Sequence, residues 1–184
     1  VPNEKSVDHV DLKHAAGGRY RPRIAKSAGL LDWSDVPATQ HHRCELKSAI
    51  VTGSGGLIGS QSVGHLVESG WRVIGIENDM RAEFFGPESS TAATSAKLVE
   101  MYGDFESVDL DIRDADGINR VFADVEGGVD LVIHTAAQPS HDWAAREPHT
   151  DFGINATGTL NLLEANRAHS PDAPFIFCST NKVY

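Results

Sequence analysis

The residues with the plainest chemical purpose are Thr52-Gly53-Ser54-Gly55-Gly56-Leu57-Ile58-Gly59, glycines spaced G-x-x-G-x-x-G between a short apolar run and a stretch of helical period. Gly53 permits a sharp turn, Gly56 lets backbone N–H groups approach a diphosphate, and Gly59 allows the following helix to pack closely on its sheet. The N-terminus of that helix adds partial positive charge. A turn built this way, after a strand and before a helix, binds a dinucleotide. Its partner is Glu77, 24 residues beyond Gly53 and at the end of the next apolar run. A carboxylate there can accept both hydroxyls of the adenosine ribose and repel a 2′-phosphate. The pair points to NAD rather than NADP, with Arg81 near enough in sequence to bend that preference and Asp79 as a second holder of the same role.

These residues need elements to carry them, and from Lys47 onward short apolar runs alternate with helical patterns. Strands are expected at Ser48 to Thr52, Trp71 to Ile76, Ser107 to Leu110, Asp130 to His134 and Phe175 to Cys178. Helices are expected at Gly56 to Ser69, ended by Gly70, at Ala92 to Met101, at Asp114 to Val125 and at Thr150 to His169. Nearly continuous apolar strands separated by amphipathic helices imply an α/β fold: a Rossmann-type, doubly wound parallel sheet covered on both faces, with strand order 3-2-1-4-5. Residues 1–47 show neither helical nor strand periodicity, and Gly17-Gly18, Pro22, Gly29 and Pro37 interrupt every candidate element. They read as an irregular or disordered extension preceding an NAD-binding domain at 48–184.

Composition narrows the function classes. Of 184 residues, 16 are Lys or Arg and 26 are Asp or Glu, a formal charge of −10, so phosphate backbones should be repelled and nucleic acid is not an expected partner. No apolar run approaches the roughly 18 residues of a membrane span, and no membrane association is expected. Two cysteines, Cys44 and Cys178, cannot build a disulfide framework, and no secretory leader is recognisable at the N-terminus, so a reducing cytoplasm is the expected location. His9, His14, His41 and His42 lack a ligand spacing, and no metal site is expected.

With the fingerprint placed, residues 48–184 resemble the extended short-chain dehydrogenase/reductase superfamily, in its nucleotide-sugar epimerase/dehydratase branch. Asp109-Leu110-Asp111-Ile112-Arg113-Asp114 resembles the branch's D-[IVL]-R element, which implies that Asp111 and Ile112 hold adenine, while Asp114 can also cap the helix that follows. His134-Thr135-Ala136-Ala137-Gln138 resembles its H-x-A-A segment, implying a close cofactor path past Ala136, Ala137 and Gln138. His134 itself reads as a packed histidine. Asn155-Ala156-Thr157-Gly158-Thr159-Leu160-Asn161-Leu162-Leu163-Glu164-Ala165 is similar to the N-x-x-G-T-x-N-L-L-E-A helix, with Asn155 on the cofactor side. The resemblance adds Leu57, Ile58, Asn78 and Ser179 to the implied cofactor contacts.

Ser179-Thr180-Asn181-Lys182-Val183-Tyr184 resembles the branch's S-S-x-x-V-Y-G stretch and is most similar to its CDP-paratose 2-epimerase subgroup. Thr180 falls where these enzymes keep the hydroxyl that hydrogen-bonds the reacting sugar oxygen, an implied catalytic position. One departure matters. The superfamily's general acid/base is the Tyr of a Y-x-x-x-K pair, and neither Tyr20 nor Tyr102 has a Lys four residues later, while Tyr184 matches the V-Y-G tyrosine. The sequence therefore resembles the N-terminal part of an NAD-dependent nucleotide-sugar epimerase, a truncated sheet without the substrate region. It is expected to bind NAD and to be inactive alone, whereas the intact enzyme would take a nucleotide-sugar substrate and could form a homodimer. UDP-glucose 4-epimerases, dTDP-glucose 4,6-dehydratases and a non-catalytic NAD-binding module are the alternatives.

Overall fold

Five successive residues, Ser48–Thr52 (β1), are all buried, which is what a central strand sandwiched between two helical layers requires. A computed structural model describes residues 46–179; the expected N-terminal extension, apart from Leu46 and Lys47, and the expected Thr180 hydroxyl lie outside the described residues. β1 pairs in parallel with Arg72–Glu77 (β2) on one side and Leu131–His134 (β4) on the other. Phe105–Asp109 (β3) joins β2, and Phe175–Phe177 (β5) joins β4. The order β3-β2-β1-β4-β5 is the one the sequence predicts. It reverses direction between β1 and β4, and the crevice above that switch point is where such sheets place ligands.

Side chains on β1 alternate between two cores, as the two-residue strand period demands. Ala49 and Val51 pack with Val63 and Leu66 of Leu57–Glu68 (α1) and Leu98 of Ala92–Met101 (α3). Ile50 faces the opposite layer, with Ile118 and Phe122 of Ala115–Ala123 (α4) and Leu162 of the long C-terminal helix. α1 ends in a Schellman motif: the Gly70 N–H bonds the Val67 carbonyl and the Trp71 N–H that of Leu66, with Gly70 at φ 83°. Asp114 caps α4 by accepting the Gly117 N–H at 3.0 Å.

Several elements depart from expectation. β2 extends to Glu77, and β3 begins at Phe105, two residues before the predicted start. β3 is not covered on both faces: Glu106, Ser107 and Asp109 are exposed or half-exposed, and Phe105 alone is buried, as suits an edge position. The predicted helix from Thr150 begins at Pro148 and is interrupted: Pro148–Phe152 (α6) leads through a π-helical turn at Gly153–Gly158 into Thr159–His169 (α7). Two short helices, Met80–Phe85 (α2) and His141–Arg146 (α5), were not expected. Among the described residues no helix is long and apolar enough to cross a membrane, and no three His, Cys, Asp or Glu side chains group to hold a metal.

Candidate functional site

At the switch point the turn after β1 folds back on itself. The Gly53 N–H donates to the Ile76 carbonyl at 2.8 Å, and the Gly56 N–H to the Gly53 carbonyl at 3.0 Å. Gly53 sits at φ 67°, and a Cβ there would lie 2.8 Å from the Ala136 backbone nitrogen. Gly59 is buried in the first turn of α1, where a Cβ would overlap the Gly53 carbonyl oxygen, so glycine is what lets helix and turn touch. Gly56 is the N-cap of α1 without a side-chain cap, leaving the first N–H groups of the helix open toward the crevice. That arrangement fits a diphosphate.

The crevice is a cleft of about 330 Å³. Its floor is the glycine turn, where Gly53, Gly56, Leu57 and Ile58 line it, and the ends of β2 and β4 contribute Glu77, Asn78, Ala136 and Ala137. Asp111, Ile112 and Ser179 close further sides, so most of the sequence-derived candidates meet in one place. Three do not line it. Gly59 lies beneath the turn, and Gln138 and Asn155 form a brace behind the cleft. The Gln138 N–H donates to Asn155 Oδ1 at 2.9 Å, the Asn155 amide returns a hydrogen bond to the Gln138 carbonyl at 3.1 Å, and both side-chain amides donate to Asp151 Oδ1. They hold the β4–α5 loop.

Glu77 is more deeply engaged than its sequence position suggests. Oε2 accepts the Gly55 N–H at 3.0 Å, while Oε1 accepts those of Asn78 at 3.1 Å and Asp79 at 3.0 Å. A carboxylate offers about four acceptor positions, so three are occupied by backbone and one is left, on Oε2. The same carboxylate that lines the cleft therefore also shapes the glycine turn. Asp111 is held below the usual carboxylate range: burial opposes its ionisation, but hydrogen bonds and charge from Arg113, 2.6 Å away, with help from Asn78, prevail.

The fourth wall was missed by sequence reasoning. Met80, Arg81, Phe84 and Phe85 of α2 line the cleft, with the Phe84 ring centroid 4.5 Å from that of Trp143 at a 55° tilt and Arg81 lying 5.4 Å over the Phe85 ring. Gly55 was overlooked as well. A Cβ there would meet Ser95 Oγ at 2.6 Å and Thr91 Cβ at 2.8 Å, so the start of α3 rests directly on the turn. Six residues between Asp79 and Gly86 are too few for helical periodicity to register, and only the aromatic pair Phe84-Phe85 could have signalled a wall.

His134 is packed, as expected. It is buried, with Nδ1 2.6 Å from Thr52 Oγ1 and Nε2 2.9 Å from Thr159 Oγ1. The Thr159 hydroxyl already donates to the Asn155 carbonyl at 2.7 Å, so it must accept from Nε2–H, and the Thr52 hydroxyl donates to Nδ1. Burial pushes the ring's pKa down to about 4, so near pH 7 it is neutral with Nδ1 as the acceptor. An unfolded histidine titrates near 6.5, so the denatured chain binds the proton first. Stability contributed by the neutral ring is complete above about pH 6.5 and is lost as pH falls toward 4, by on the order of 3 kcal/mol. Urea unfolding between pH 7 and 4.5 should show a steeper loss for the wild type than for His134→Gln; parallel curves would refute the assignment.

Comparison with known proteins agrees with this geometry. A family model described as NAD dependent epimerase/dehydratase family matches residues 49–184. Over 135 residues the chain is 32% identical to a CDP-paratose 2-epimerase of Salmonella typhi, covering 73% of this chain and 37% of that protein. It is 30% identical to a UDP-glucose 4-epimerase of Mus musculus over 140 residues, covering 76% and 39%. Among solved structures, a UDP-glucose 4-epimerase of Bifidobacterium longum in complex with NAD+ and UDP superimposes with a TM-score of 0.62 at 28% identity, covering 75% of this chain and 38% of that one. The chain spans a little over a third of the length of these relatives.

Proposed function

Because the chain belongs to the NAD dependent epimerase/dehydratase family, we propose that it is the NAD-binding part of a nucleotide-sugar epimerase. The observation that carries this reading is the meeting, in one cleft, of the glycine turn, the uncapped start of α1 and the Glu77 carboxylate at the end of β2. The residues fit the cofactor: glycines where a Cβ would collide, open N–H groups for a diphosphate, and an acid for the adenosine ribose. Support comes from the Bifidobacterium longum relative, solved with NAD+ and UDP. Residues 48–184 form the binding domain in this reading.

NAD, when bound, supplies a reversible hydride acceptor for a sugar carbon. The chain's own part is to seat it. The turn and α1 hold the diphosphate, Glu77 takes a ribose hydroxyl and disfavours a 2′-phosphate, and Asp111 with Ile112 and the α2 wall encloses the adenine. Ala136 and Ala137 leave a path toward β5, where Ser179 lines the cleft and the Thr180 hydroxyl would bond the reacting sugar oxygen. The sequence holds no Y-x-x-x-K pair to move the sugar's proton, so the 184 residues bind NAD without turning a sugar over.

For the whole protein, the Ser179-Thr180-Asn181-Lys182-Val183-Tyr184 stretch and the similarity to the Salmonella typhi protein favour a CDP-activated hexose epimerised at C2. A UDP-glucose 4-epimerase is the second reading, favoured by a nearly equal identity to the mouse protein. Calorimetric titration of the 184-residue chain with NAD and NADP tests the core of the proposal. NAD should bind at least tenfold more tightly than NADP, the ratio expected for about 1.4 kcal/mol of discrimination. No interconversion of CDP- or UDP-sugars should accompany it. Absence of NAD binding, or equal binding of both, would overturn the reading.

A further inference from the structure

The connection between β2 and α3 places a cleft wall whose far end is tied to α5, where Trp143 Nε1–H donates to the Phe84 carbonyl at 3.2 Å. α2 is six residues long and buries no side chain completely, and at its start only Asn78 Oδ1 accepts from it, taking the Met80 N–H at 3.2 Å, so it is too short to fix its own position. Yet it lines the cleft with Met80, Arg81, Phe84 and Phe85. Asp79 stands at its head. It is the one non-glycine residue with a left-handed backbone among the described residues, at φ 53°, a conformation that Asp tolerates better than most. The turn aims its carboxylate at the start of α3. Oδ2 accepts the Ser90 hydroxyl at 2.6 Å, and Oδ1 accepts the Thr91 N–H at 2.6 Å and the Thr91 hydroxyl at 3.0 Å.

The same residue is tied to the glycine turn from behind. The Asp79 N–H donates to Glu77 Oε1, and Glu77 Oε2 accepts the Gly55 N–H. Thr91 and Ser95 in turn rest on Gly55, where a Cβ would meet both. Glycine turn, Glu77, Asp79 and the start of α3 thus form a closed ring around the end of the cleft that Glu77 marks. Asp79 does not itself line that cleft, and both of its carboxylate oxygens are turned to Ser90 and Thr91 instead. Its place in this reading is behind the cleft wall, not as a second ribose acceptor.

We propose that Asp79 is a positioning residue for the adenosine end of the cleft: by clamping the head of α2 to the start of α3 it sets both the aromatic wall and the orientation of Glu77. The proposal rests on the NAD reading above. Its consequence is that adenosine affinity depends on a carboxylate that never touches the nucleotide.

The test is the affinity of the folded protein for AMP, measured well below the thermal midpoint for the wild type, Asp79→Gly, Asp79→Asn and Ser90→Ala. Glycine keeps the left-handed turn and removes the acceptor, and should weaken AMP by about tenfold, the loss of roughly one charge-assisted hydrogen bond. Asparagine tolerates the same backbone and keeps one carbonyl acceptor for the Thr91 N–H, and should recover most of the affinity. Ser90→Ala withdraws a donor from the far side and should weaken AMP in the same direction, which keeps the proposal testable if the glycine variant does not fold. A merely structural residue would lower the melting temperature and leave the AMP affinity of the folded protein unchanged. Wild-type affinity in Asp79→Gly or in Ser90→Ala overturns the proposal. A wild-type chain that binds neither AMP nor NAD overturns the cofactor reading and this inference with it.

Discussion

Gly59→Ala is expected to remove most of the chain's affinity for NAD and to destabilise it by about 3 kcal/mol or more, beyond the usual range for one added methyl in a core. The reason is that nothing near the new Cβ is able to yield. It would overlap the Gly53 carbonyl oxygen and lie 2.7 Å from the Gly53 carbonyl carbon and 2.9 Å from Ser54 Cα, all backbone of the same turn. Relief requires α1 to lift off β1, and that moves the open N–H groups at its start away from the diphosphate. Losing two or three such bonds corresponds to roughly a hundredfold or more in affinity. Gly103→Ala is the control, since a Cβ there meets nothing within 4 Å. Urea unfolding together with NAD titration of the two variants checks the contrast, and a Gly59→Ala protein with wild-type stability would show that helix and turn are not in the contact described.

Glu77→Ala should act on two quantities at once. The Gly55 N–H, buried against α3, loses its acceptor, as do the Asn78 and Asp79 N–H groups. An unsatisfied buried donor costs about 1–3 kcal/mol, so stability should fall by about 2 kcal/mol. NAD affinity should drop by more than tenfold, through the lost ribose contact and the loosened turn. NADP should lose far less, because the charge that repels its 2′-phosphate leaves with the carboxylate and Arg81 remains on the cleft wall. The ratio of the two affinities is therefore the informative number, expected to approach one. A ratio held at its wild-type value, with both affinities lowered together, would mean that Glu77 shapes the turn and selects nothing.

How much of this was legible beforehand depended on element length and on which partners a side chain meets. β1 and α3 were read to the residue, because each is bounded by a change of periodicity and carries its own apolar pattern. α2 and α5, six residues each, span fewer than two helical turns and give periodicity nothing to repeat. The π-helical turn at Gly153–Gly158 was invisible for another reason: it adds a residue to a turn without changing composition. Its Gly158 earns meaning only in space, where a Cβ would press 2.6 Å from the Ile112 side chain. The glycine motif and Glu77 could be assigned to the site from spacing alone. That Glu77 spends three acceptor positions on backbone, that Asp79 turns its carboxylate away, and that Gln138 and Asn155 brace each other are facts about pairing between distant segments, which one sequence does not encode locally.

The chain of hydroxyls and imidazole between β1 and the C-terminal helix also has a direction. Starting from the Ala136 N–H, which donates to Thr52 Oγ1 at 3.2 Å, each group donates one hydrogen bond forward: Thr52 to His134, His134 to Thr159, Thr159 to the Asn155 carbonyl. Each donor hydrogen in the chain is used, and turning one member around would leave two donors or two acceptors facing each other. The Ala136 amide is thus already committed to the interior, although the residue lies on the cleft wall. At the cleft wall Ala136 therefore presents a methyl group and clearance but no free N–H, whereas the start of α1 presents N–H groups without a side-chain cap.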